Sequence, residues 1–125
     1  MQATILEVED DRLNRELISK VLRQEGHHVL QACDGAIALE MLQALPCNLV
    51  LTDFAMPKVN GSRFVEQLHA LQPQMPIILI TAYQSAVSGT TIVDKVAEVL
   101  AKPFDLTVLR SAVRRVLATN PHSSP

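Results

Sequence analysis

The chain has 125 residues, 48% of them hydrophobic, with 11 Lys and Arg against 13 Asp and Glu. That is enough apolar material for one domain with its own core and too much for a disordered chain, while a net charge of -2 offers nucleic acid no overall basic field. No apolar stretch approaches the roughly 20 residues that span a bilayer, and the start lacks the basic segment of a signal peptide; the expectation is a cytoplasmic protein with no membrane and no direct nucleic-acid partner.

Ala3 to Val8 is a short apolar run broken by Glu7 and closed by the acidic trio Glu9, Asp10 and Asp11, which reads as a first strand. Apolar Leu17, Ile18, Val21 and Leu22 then recur at helical spacing from Leu13 until Gly26 supplies a stop. His28 to Cys33 reads as a second strand. Asp34 caps a helix with Ile37, Ala38, Met41, Leu42 and Leu45 on one face, closed by Pro46. Asn48 to Asp53, with Leu49, Val50 and Leu51 in succession, is too short for a helix and suits a buried parallel strand. Pro57 and Gly61 mark Phe54 to Gly61 as a loop, after which Ser62 is expected to cap a helix carrying Phe64, Val65, Leu68 and Leu71.

Pro73 and Pro76 bound a turn, and the four aliphatics Ile77 to Ile80 form a strand ending at Thr81. Gln84 to Lys95 belongs to a helix by alternation, but Gly89, Thr90, Thr91, Ile92 and Val93 are poor helix formers, so a short or mobile helix is expected. Glu98 to Ala101 makes a fifth strand before Lys102-Pro103. Asp105 caps a last helix with Leu109, Ala112, Val113, Val116 and Leu117. Residues 119–125 are expected to be a disordered tail or the start of a linker, leaving 1–118 as the domain. Cys33 and Cys47 have neither zinc nor disulfide-framework spacing and read as small buried thiols.

Five alternations of strand and helix with short connections describe a doubly wound α/β domain, a parallel sheet with helices on both faces. Parallel strands deliver all their C-terminal ends to one edge, where such folds bind ligands. At that edge stand Glu9 and Asp10 after the first strand, Asp53 after the third, Thr81 after the fourth and Lys102 after the fifth. Three carboxylates brought together repel, and a hard divalent cation such as Mg²⁺ relieves the repulsion while bridging to a phosphoryl oxygen. A carboxylate there can act as a nucleophile toward phosphorus, with Lys102 neutralising charge on the transferred group and Thr81 donating a hydrogen bond to it.

Glu9-Asp10, Asp53 within LVLTDFAMP, Thr81 within ITAY, and Lys102-Pro103-Phe104 together resemble the two-component response-regulator receiver domain over roughly residues 3–118. The resemblance implies a five-stranded sheet of flavodoxin-like order 2-1-3-4-5. It implies Asp53 as phosphoacceptor, with Mg²⁺ held by Glu9, Asp10, Asp53 and the carbonyl of Ala55. Lys102 would contact the phosphoryl group, Thr81 would be the switch hydroxyl, the Lys102-Pro103 bond would be cis, and Gly61 would permit a turn. The implied phosphodonor is a histidine kinase or phosphotransfer protein, and the output partner is unspecified, an effector domain in cis included. Beyond its own phosphorylation and dephosphorylation no enzyme activity is implied. Two positions depart from the pattern: Val99 stands where the family usually has Tyr or Phe, and Lys95-Val96 where it has Gly-Ala.

Two other functions share parts of this pattern. A phosphohydrolase of the haloacid dehalogenase type also uses an Asp nucleophile with Mg²⁺, but carries it on a first strand bearing DxD. A flavodoxin-like flavin binder needs a hydroxyl-rich phosphate loop after the first strand, where Glu9, Asp10 and Asp11 would repel phosphate. Asp11 reads as a first-turn acid complementing the helix dipole. His27, His28, His69 and His122 read as surface or helix-face residues. Arg110, Arg114 and Arg115 read as a solvated face of the last helix, with a docking patch as the alternative. Phe54, Tyr83 and Phe104 lie near the site residues and either shield the pocket or pack in the core.

Overall fold

The computed structural model describes residues 2–53, 61–82 and 91–119. Five strands, β1 (Thr4–Val8), β2 (His28–Ala32), β3 (Leu49–Asp53), β4 (Ile77–Thr81) and β5 (Glu98–Ala101), form one sheet in the order β2-β1-β3-β4-β5. Every pairing is parallel. Four helices connect or follow them: α1 (Arg12–Gln24), α2 (Gly35–Ala44), α3 (Gly61–Leu71) and α4 (Leu106–Thr119), and Thr91–Lys95 forms a 3₁₀ turn before β5. The expected architecture and strand order are therefore present.

Period-two alternation along the strands sorts the core into two layers. Leu6, Val8, Val50, Ile77 and Leu79 face α2, α3 and the 3₁₀ turn, packing with Ala38, Leu42, Phe64, Val65, Leu68 and Ile92. Ile5, Leu49, Leu51, Ile78 and Ile80 face α1 and α4, packing with Ile18, Val21, Leu22, Leu109, Val113 and Val116. Both central strands β3 and β4 are buried along their whole length, whereas edge strands β2 and β5 are partly exposed. That explains why the third and fourth strands read as unbroken apolar runs. Each fully buried Leu, Ile or Phe contributes about 1.5–3 kcal/mol.

Helix ends follow local chemistry. Asp34 Oδ1 accepts from the Ile37 amide at 2.9 Å and Asp105 Oδ1 from the Val108 amide at 2.9 Å, as expected of N-caps. Gly26, at φ +93°, ends α1 in the left-handed region, with its amide bonded to Arg23 O and the His27 amide to Leu22 O.

Several local expectations are corrected. α3 begins at Gly61, so Ser62 lies inside the helix and is not its cap. Leu13, Leu17, Ile37, Leu45 and Leu71 are exposed although they fall at helical spacing, because the apolar arc of each helix is wider than the stripe that meets the sheet and its end turns overhang. Cys33 is exposed, lying just beyond edge strand β2, and only Cys47 is buried. His27 is buried, its Nδ1 accepting from the Ala3 amide at 3.1 Å. The expected helix over Gln84–Lys95 is a 3₁₀ turn over its last five residues, and the rest lies outside the described residues. Residues 120–125 lie outside them as well, so the expected tail is not described. Among the described residues no helix is long and apolar enough to cross a membrane.

Candidate functional site: a carboxylate cluster at the sheet edge

Three of the strands facing α1 and α4 continue their inward rows past the end of the sheet into charged residues. Ile5 and Glu7 lead to Glu9, Leu49 and Leu51 to Asp53, and Leu100 to Lys102. Their convergence is thus a product of strand register and period two. Carboxylate oxygens of Glu9, Asp10 and Asp53 lie within 4.8 Å of one another, with Glu9 and Asp53 buried and Asp10 exposed. Lys102 Nζ donates to Asp53 Oδ2 at 2.6 Å and lies 3.7 Å from Glu9 Oε1. The Lys102 amide donates to Thr81 O at 2.7 Å, which ties the ends of β4 and β5 together, and Lys102-Pro103 is cis.

Burial pushes the Glu9 carboxyl up to about 7, against the Asp11 amide that donates to Glu9 Oε2 at 3.1 Å; the Asp53 charge raises it further and Lys102 lowers it. For the Lys102 ammonium, desolvation is outweighed by the Asp53 hydrogen bond and the surrounding carboxylates, so it is held above its usual value. The amine is therefore charged, and the cluster combines hard anionic oxygens with one fixed cation. Such a donor set fits Mg²⁺.

Thr81 is buried in the alternate row, with Ile77 and Leu79, on the α2, α3 and 3₁₀ side of the sheet. It stands one residue past Ile80, the register partner of Asp53. Beside the carboxylates a cleft of about 380 Å³ is lined by Glu9 and Lys102 at its polar end and by Leu17, Ile18, Phe104 and Leu106 along its apolar wall. Phe104 is half-buried there. Ala55, Phe54 and Tyr83 lie outside the described residues.

The arginines of α4 are largely spoken for: Arg114 pairs with Glu25 at 2.6 Å, and Arg115 with Glu98 at 2.6 Å. Two groups near the site were not singled out from sequence. Arg15 donates to backbone carbonyls of the acidic turn; a basic residue near a helix N-terminus, contrary to the helix dipole, is the signal that marks it. Glu7 is a buried carboxyl bonded to Ser19; its signal is a charge inside an otherwise apolar strand.

A family model described as Response regulator receiver domain matches residues 5–114. The chain is 34% identical over 114 residues to the response regulator receiver protein CpdR of Brucella abortus (strain 2308), covering 90% of this chain and 95% of CpdR. It is 31% identical over 119 residues to the DNA-binding transcriptional regulator NtrC of Azospirillum brasilense, covering 94% of this chain but 25% of NtrC. The crystal structure of response regulator protein TrrA from Thermotoga maritima in complex with Mg(2+)-BeF matches with a TM-score of 0.85 at 28% identity, covering 91% of this chain and 98% of TrrA.

Proposed function

This chain belongs to the response regulator receiver domain family and is a phosphorylation-dependent signalling switch of the two-component type; from that premise we propose that Asp53 is the residue that takes the phosphoryl group. The observation that carries the assignment is the 2.6 Å contact between Lys102 Nζ and Asp53 Oδ2 beside two further carboxylates. Asp53 is buried at the end of a central strand, with its carboxylate beside Lys102, Glu9 and Asp10. The donor we infer is a histidine kinase or a phosphotransfer protein. An Asp53 carboxylate oxygen attacks phosphorus, an O–P bond forms, the bond from phosphorus to the donor atom breaks, and its electron pair leaves with the donor.

Glu9, Asp10 and Asp53 are the side chains that would hold Mg²⁺, and Ala55 would add its carbonyl. When bound, the ion offsets the charge of the incoming phosphoryl group. Lys102, already bonded to Asp53 at 2.6 Å, would contact the phosphoryl oxygens with its ammonium. Thr81 donates its hydroxyl to a phosphoryl oxygen, and its place in the row beside Leu79 and Ile77 links that movement to the layer containing Ile92. We read the domain as a signalling module whose chemistry is its own phosphorylation and loss of phosphate, working in the cytoplasm. Its output goes to a partner or to an effector domain on the same chain.

Neither alternative function gains support. The nucleophile candidate ends β3, not the first strand, and the turn after β1 carries carboxylates where a flavin phosphate would sit.

The test is intact-mass measurement after incubation with Mg²⁺ and acetyl phosphate. One added phosphoryl group is expected on the wild type and none on Asp53→Ala. An unchanged wild-type mass, or the same gain in the variant, removes Asp53 from the role.

A further inference from the structure

We propose that Arg15 is the positioning residue of the acidic turn, holding the backbone that carries Glu9 and Asp10 and so setting the affinity of the carboxylate cluster for a divalent cation. This role rests on the reading of that cluster as the Mg²⁺ site. Arg15 Nη1 donates to Glu9 O at 2.8 Å and reaches Asp10 O at 3.4 Å. Its own amide donates to Asp11 O at 2.9 Å. That last bond is the first of the α1 backbone ladder, so the side chain itself meets two successive carbonyls of the turn, those of Glu9 and Asp10. Backbone carbonyls leaving a strand for a helix have no ladder partner, and an arginine with several donors in a fixed fork can serve more than one of them.

The rest of the turn is tied to the same frame. The Glu9 amide donates to Ala32 O at 3.1 Å, and Glu9 Oε2 accepts from the Asp11 amide at 3.1 Å. The Glu9 carboxylate is therefore oriented by a peptide whose carbonyl Arg15 holds. Loosening the turn would release the carboxylate along with the backbone. Placement of a cation here also runs against the helix: α1 begins at Arg12, has no acidic residue in its first turn, and presents Arg12 and Arg15 to its positive end. Arg12 is exposed, whereas Arg15 is half-buried over the turn. The carbonyl contacts offset the unfavourable position of Arg15.

Charge and positioning predict opposite signs. A guanidinium near three carboxylates competes electrostatically with an incoming cation, so a purely electrostatic Arg15 would, on removal, let Mg²⁺ bind more tightly. A positioning Arg15 would, on removal, weaken it.

Calorimetric titration of the full chain with Mg²⁺ alone separates the two. Arg15→Met is expected to lose about tenfold in affinity, the usual lower scale for removing a group that orients metal ligands. Arg15→Lys, which keeps the charge on a single donor point, is expected to fall between Arg15→Met and the wild type. Arg12→Met, which removes the same charge from the same helix end without a bond to the turn, should bind as tightly as the wild type or more so. Thermal melts run alongside; should Arg15→Met fail to fold, the loss in Arg15→Lys carries the test. Equal or tighter binding in a folded Arg15→Met, or in Arg15→Lys where only that variant folds, overturns the role. The Glu9→Gln/Asp10→Asn double variant checks the underlying site separately. Wild-type affinity in that protein would remove the cation site itself and this role with it.

Discussion

Glu7 shows how a single side chain in the inner strand β1 can govern the pH dependence of the whole fold. It is fully buried in β1; Ser19 Oγ donates to its Oε1 at 2.5 Å, Gln31 Nε2 donates to Ser19 Oγ at 2.6 Å, and Oε2 has no partner among the described residues. Burial pushes its carboxyl up to about 8, with the Ser19 bond opposing, so the group is protonated at neutral pH. A carboxyl that holds its proton in the folded chain but releases it near 4.5 in the unfolded one makes the native state the greater proton binder between those values. Stability contributed this way is fully present below about 4.5 and is lost as pH rises toward 8. The slope is at most about 1.4 kcal/mol per pH unit for one proton. Glu9, raised to about 7, adds in the same direction over a narrower window. Melting temperatures of the wild type are therefore expected to fall between pH 5 and pH 9, and Glu7→Gln, which cannot ionise, should show a markedly shallower fall. Parallel curves for the two proteins would refute the assignment.

Among the described elements outside the sheet, the 3₁₀ turn Thr91–Lys95 is the shortest and the one whose described residues bury a single side chain. Ile92 is its only buried side chain among those described, while Val93 and Asp94 are exposed and Lys95 is half-buried. An element held by one buried residue opens at lower cost than the sheet beside it. Val99 lies partly buried against the same layer; its small β-branched side chain has little rotameric travel and no ring to turn inward. The response to phosphorylation is accordingly expected in the turn. Hydrogen exchange with and without a beryllofluoride mimic at Asp53 should show altered protection across Thr91–Lys95. If the changes stay within α1 and α2, output leaves by another surface.

At the scale of the molecule, Leu117 is the last buried side chain of α4, two residues before its end. Removing residues 120–125 should leave the melting temperature and the Mg²⁺-dependent phosphorylation by acetyl phosphate unchanged. A loss of either would extend the domain into that segment. The ion pair Arg114–Glu25 ties α4 to the end of α1, but Arg114 is 66% exposed, so solvent screens it. Arg114→Ala is expected to cost less than about 1 kcal/mol in urea unfolding.

Periodicity and capping signals determined the doubly wound α/β class of this protein, with the strand order implied by the family resemblance, because buried strands and amphipathic helices write their burial into the order of residues: Leu49–Leu51 and Ile77–Ile80 are apolar on both faces, and Asp34 and Asp105 cap the helices they precede. The residues at the strand ends were legible for the same reason, since a parallel sheet brings all its C-terminal ends to one edge. Tertiary structure decided what no spacing records. The approach of Lys102 to Asp53 depends on the register of β5 against β4 and of β4 against β3, contacts between segments 49 residues apart. Burial of His27, exposure of Cys33 and Leu13, and the carbonyl contacts of Arg15 likewise follow from which neighbour arrives. The order of residues states what each side chain prefers, and only the packed neighbours state which preferences are met.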